Sequence, residues 1–112
     1  MEFHGVDVKK QFKRMRELAP DAYRGFLEFD AKVFKDGALS LKTKELMAVA
    51  IAQITQCPWC IDAHTKRAAK AGATDEELAE TTFVAMALAA GAAWSHGGVA
   101  LQCLDEHRGV PR

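Results

Sequence analysis

The chain has 112 residues, fifteen basic and fifteen acidic, and a formal charge of zero. That length suits a single domain, 1–112, and the interleaved charges offer neither the basic face that nucleic acid needs nor an acidic binding arm. No continuous apolar run approaches the roughly 18 residues that cross a bilayer, and the opening "MEFHGVDVKK" lacks the layout of a signal peptide, so the expectation is a cytoplasmic protein with no membrane partner.

Apolar residues recur at helical spacing nearly throughout, which predicts an all-α domain of about six helices. The first, "DVKKQFKRMRELAP", is charged and amphipathic and closes near Pro20. The second, "PDAYRGFLEFDAKVFKDG", starts with proline in its first turn and stops at Gly37. Ser40 can cap the third, "SLKTKELMAVAIAQIT", whose second half is apolar almost all the way round and is therefore expected to be buried on every side. The fourth begins at the cysteines and ends at "KAG", with Lys66, Arg67 and Lys70 in its last turns and Gly72 beyond.

Thr74 and Glu77 have capping-box spacing, so a fifth helix starts there and runs to about Gly91. Gly97 and Gly98 weaken the final segment, "AAWSHGGVALQCLDEHRG", which reads as one bent helix or two pieces. Two helices this apolar in a small chain point to burial against other subunits, with a compact monomeric bundle as the alternative.

The chemistry concentrates in "QCPWCIDAHT", residues 56–65. Three cysteines, only two of them close, do not make the even framework of a small secreted disulfide scaffold. A close pair in a reducing compartment is more often catalytic or metal-binding. Pro58 suits the first helical position, so Cys57 is the expected N-cap and Cys60 falls in the first turn, where free N–H groups and the helix dipole favour thiolate over thiol. Positions 57, 60, 61 and 64 share one side of a helix, which sets His64 one turn from Cys60.

A dithiol beside a base suits peroxide reduction or disulfide exchange. Zinc is the other reading: Cys57, Cys60 and His64 supply three ligands, and His96 or Cys103 would have to complete four. Haem attachment needs histidine directly after the second cysteine, and position 61 is isoleucine. Cys103, beside Leu101 and Leu104, reads as a buried small apolar residue.

Glu45, eleven residues, "CPWC", three residues, His64 and then "AAKAG" together resemble the core of the alkyl hydroperoxidase D-like proteins of the carboxymuconolactone decarboxylase superfamily. The resemblance covers roughly residues 20–105. It implies an all-α fold, a homotrimer or homohexamer, thiol-dependent peroxidase activity on a hydroperoxide, and a dithiol protein reductant of thioredoxin or lipoyl type. No cofactor is implied.

In that family the second cysteine is taken as peroxidatic and the first as resolving, with histidine and glutamate forming a proton relay. Carried over, these are Cys60, Cys57, His64 and Glu45. The best-known peroxidases of the family carry histidine between the cysteines, where this chain has Pro58 and Trp59. The decarboxylase branch shares the fold but lacks the cysteine pair. The relay also sets a geometric condition: twelve residues of unbroken helix would hold Glu45 and Cys57 about 18 Å apart. The chain must therefore bend around residues 55–58, or a water or a neighbouring subunit must bridge the gap.

Overall fold

The structure is a computed structural model that describes residues 2–112. In chain order it holds a two-stranded hairpin, β1 (Glu2–Phe3) and β2 (Val6–Asp7), then α1 (Val8–Leu18), α2 (Pro20–Val33), α3 (Leu41–Thr55), α4 (Pro58–Lys70) and α5 (Asp75–His107). The all-α expectation holds, with five helices among the described residues rather than about six. The hairpin was not expected, because two-residue strands carry no readable alternation; it turns on His4 and Gly5, both at positive φ.

Side chains start the helices where their chemistry predicts. Asp7 caps α1 by accepting from Lys10 N–H at 3.2 Å. Ser40 caps α3 through Thr43 N–H at 3.1 Å. Thr74 and Glu77 form a complete capping box at α5, with bonds of 3.1 and 3.0 Å. Glu77 also reaches Lys42 of α3 at 2.8 Å. That hydrogen bond, then the one from the Thr74 N–H, holds the Glu77 carboxyl below its ordinary value. At the far end of α4, Gly72 takes φ +94°, which only glycine adopts without strain, and the Ala73 N–H closes back on the Ala68 carbonyl at 2.9 Å.

α3 is the central element, with α4 on one side and the first half of α5 on the other. Val49, Ala52, Ala68 and Ala85 form the buried apolar centre where they meet, and Gln53 of α3 donates to the Thr82 hydroxyl of α5 at 2.9 Å. α1 lies against α2 and is tied to α4 by Lys9 and Asp62 at 3.6 Å.

Two expectations fail for one chain taken alone. α3 is not buried on every side, since Met47, Ile51 and Ile54 remain exposed, Ile51 at 60%. The last segment is not a separate piece: α5 continues through Gly91, Gly97 and Gly98 for 33 residues, about 50 Å. Glycine in a helix interior costs about 1 kcal/mol relative to alanine. A Cβ at any of these three would meet nothing within 4 Å, so no contact inside the chain requires them.

The distal half of α5 stands clear, with Trp94 86% exposed and Cys103 exposed rather than buried. The short apolar runs of the sequence thus add up, in one continuous helix, to a segment long and apolar enough to cross a bilayer by length and composition. The radius of gyration is 19.3 Å, against about 13 Å for a compact chain of this length.

Candidate active site

α3 ends on Gln56, whose left-handed conformation (φ 57°, ψ 49°) reverses the chain, while the Cys57 N–H returns to the Ala52 carbonyl at 3.0 Å. Pro58 then opens α4 with Cys57 as its N-cap, and the Cys57 sulfur accepts from the Cys60 N–H at 3.3 Å. Cys57 and Cys60 are bonded to one another, with Cα atoms 5.3 Å apart. The expected cap, the expected first-turn cysteine and the required bend all occur within these five residues.

The bend lays α4 back along α3 and brings Glu45 to His64 within one chain. His64 Nδ1 lies 2.5 Å from Glu45 Oε2, and Glu45 is only 2% exposed. A carboxylate accepts, so Nδ1 donates to Glu45 and Nε2 is the ring nitrogen that this contact does not use. Neither a bridging water nor a second subunit is needed for this contact. A buried carboxylate is retained only where it is paired, and here its partner is the histidine that the spacing had singled out.

Around the pair, Phe34 at the end of α2 sets its ring 5.0 Å from that of His64. A cavity of about 390 Å³ lined by Phe34, Leu41, Arg67 and Lys70, among others, opens on Glu45. On the outer face of α4, Asp62 is held below its ordinary value chiefly by the hydrogen bond from Lys66. Trp59 is half-buried.

His96 and Cys103, which the zinc reading needed, do not join the cysteines. His96 Nδ1 donates to the Ala92 carbonyl at 2.8 Å on exposed α5. Among the described residues no group of three or more His, Cys, Asp and Glu side chains is arranged to hold a metal ion. Phe34 is the residue of this site that the sequence did not single out. Its only signal was its place among the apolar residues of the second helix.

Comparison with known proteins bears on the same residues. The profile of the carboxymuconolactone decarboxylase family matches residues 20–102. A crystal structure of apo-lpg0406, described as a carboxymuconolactone decarboxylase family protein from Legionella pneumophila, superposes with a TM-score of 0.70 at 38% identity over 89% of each chain. "Uncharacterized protein 4 in cox locus" of Paracoccus denitrificans is 51% identical over 85 residues, 76% of this chain and 77% of that one. "Alkyl hydroperoxide reductase Rv2159c" of Mycobacterium tuberculosis is 33% identical over 82 residues, 66% of this chain but 23% of its own length.

Proposed function

The chain belongs to the carboxymuconolactone decarboxylase family, and from that premise we propose that it is a dithiol peroxidase whose catalytic residues are Cys60, Cys57, His64 and Glu45. The observation that carries this is the shared helix start: two bonded cysteines, one the cap of α4 and one in its first turn, with a histidine one turn on from the second, held by a buried glutamate. The relative from Mycobacterium tuberculosis, named an alkyl hydroperoxide reductase, supports the same reading.

The steps balance as follows. The Cys60 thiolate attacks the distal oxygen of a hydroperoxide; an S–O bond forms, the O–O bond breaks, and the leaving alkoxide takes a proton from His64 to depart as an alcohol. Cys57 then attacks the sulfur of the Cys60 sulfenic acid, forming the disulfide and releasing the oxygen as water. A dithiol protein of thioredoxin or lipoyl type reduces the disulfide and is itself oxidised. Glu45 holds the imidazole in the tautomer that leaves Nε2 available and stabilises the imidazolium when it forms.

The expected result with fully reduced protein is loss of two thiols and release of one alcohol per equivalent of hydroperoxide. Protein that arrives with stoichiometric zinc, and loses it in Cys57→Ala, would instead make the cysteines a metal clamp.

We also propose that the chain acts in the cytoplasm as a homotrimer or homohexamer. Its exposed apolar surface includes side chains of α2, α3 and the whole length of α5. At about 25 cal/mol per Å², several hundred Å² of such surface left in water costs many kcal/mol, and the three open glycines of α5 would let another helix approach closely. Light scattering at micromolar concentration should give a mass at least three times that of the 12.3 kDa chain. A monomeric mass would sink this.

A further inference from the structure

Phe34 closes α2 as its C-cap, its N–H donating to the Asp30 carbonyl at 2.9 Å. Its ring lies against the His64 imidazole, with planes tilted by 32°. One cation grips the backbone on both sides of it: Lys44 Nζ donates to the Val33 carbonyl and to the Lys35 carbonyl, each at 2.8 Å. Lys44 immediately precedes Glu45 on α3. Adjacent residues thus supply the carboxylate that binds His64 and the ammonium that fixes the residue resting on its ring. Phe34 also separates two cavities, the one opening on Glu45 and one of about 310 Å³ lined by aliphatic side chains such as Leu39, Met47 and Ile51.

We propose that Phe34 is a positioning residue for His64, and that Lys44 acts through it as a bracket. A hydrogen bond to Nδ1 fixes one atom of the imidazole but leaves its plane free to tilt. Contact with the Phe34 ring removes that freedom and bars one route by which water could reach the Glu45–His64 hydrogen bond, which is stronger where water is excluded. The position of Phe34 depends in turn on the two carbonyls beside it, both of which Lys44 binds, the Val33 carbonyl also accepting from the Lys35 N–H at 3.1 Å. Lys44 and His64 are thereby coupled through an intermediate side chain.

Lys44 has a plain structural value as a cap on α2, so the experiment must read His64 itself. In folded Phe34→Leu and Lys44→Met proteins the His64 ring protons, followed by NMR, should lose the ring-current shift that Phe34 imposes. Phe34→Tyr should retain it. The decisive variant is Lys44→Met, which keeps its aliphatic stem. With a hydroperoxide, kcat should fall about 10- to 100-fold in both, with KM within about twofold, because misplaced catalytic groups cost rate at this scale. The kinetic arm rests on the peroxidase reading and the spectroscopic arm does not. If wild type turned over no hydroperoxide, that reading would fail while the His64 resonances still decided this one. Wild-type resonances in folded Lys44→Met, or a Phe34→Leu protein that is merely less stable, would overturn the proposal.

Discussion

Treated with one equivalent of hydroperoxide, Cys57→Ser is expected to accumulate a sulfenic acid that a dimedone-type reagent labels. Cys60→Ser should stay unlabelled and lose at least about 10³-fold in turnover. The asymmetry follows from position on α4. Cys57 is the cap, outside the helix proper, and its sulfur accepts from the Cys60 N–H. Cys60 lies inside the first turn, one turn before a histidine whose Nδ1 is committed to Glu45. Both sulfurs feel the open N–H groups of the helix end, but only Cys60 also has a base within a turn. Removing Cys57 stops the cycle after its first half and leaves the oxidised Cys60 waiting for a thiol that is not there. Label confined to Cys60→Ser would reverse the assignment. Equal label in both proteins would mean that His64 does not select between them.

Glu45→Gln should lower kcat by about 10²- to 10⁴-fold with the fold intact, a range set by what replacing the carboxylate behind a catalytic histidine does elsewhere. Glutamine fills the same buried space, so no cavity opens. It cannot carry the negative charge that balances an imidazolium, and its amide can bind Nδ1 in the wrong tautomer. Because Glu45 and His64 act together, the Glu45→Gln/His64→Gln double variant should be barely slower than His64→Gln alone. Additive losses in kcat, measured with one hydroperoxide and one reductant, would show two separate roles and no relay.

The parts of this architecture legible in the sequence are those set by local chemistry. Ser40, Cys57 with Pro58, and Thr74 with Glu77 mark helix starts because each satisfies backbone N–H groups by itself. The contact between Glu45 and His64 was legible only as a demand for a bend. The residue that meets it, Gln56, is not one that composition marks as left-handed. Gly97 and Gly98 misled the reading of the last segment, because helix propensity weighs a residue alone while α5 is carried by its whole length. α3 and α5 read as apolar nearly all round, but hydropathy says that such a surface needs covering without saying whether the same chain covers it. Phe34 read only as one more apolar residue of the second helix, because it meets His64 through tertiary packing alone.

The reversal at Gln56 also makes chain length itself a fixed quantity. From Glu45 the backbone runs out along α3, turns on one residue, and comes back along α4 to His64. Inserting or deleting one residue in either arm would rotate the part beyond it by about 100° and slide it about 1.5 Å, turning the carboxylate away from the imidazole even with every side chain unchanged. Residues 35–40 and 71–74 join helices without passing between the two partners, so a change of length there leaves the register between Glu45 and His64 untouched. Between positions 45 and 64 it works as a ruler, in which the number of residues counts as well as their kind.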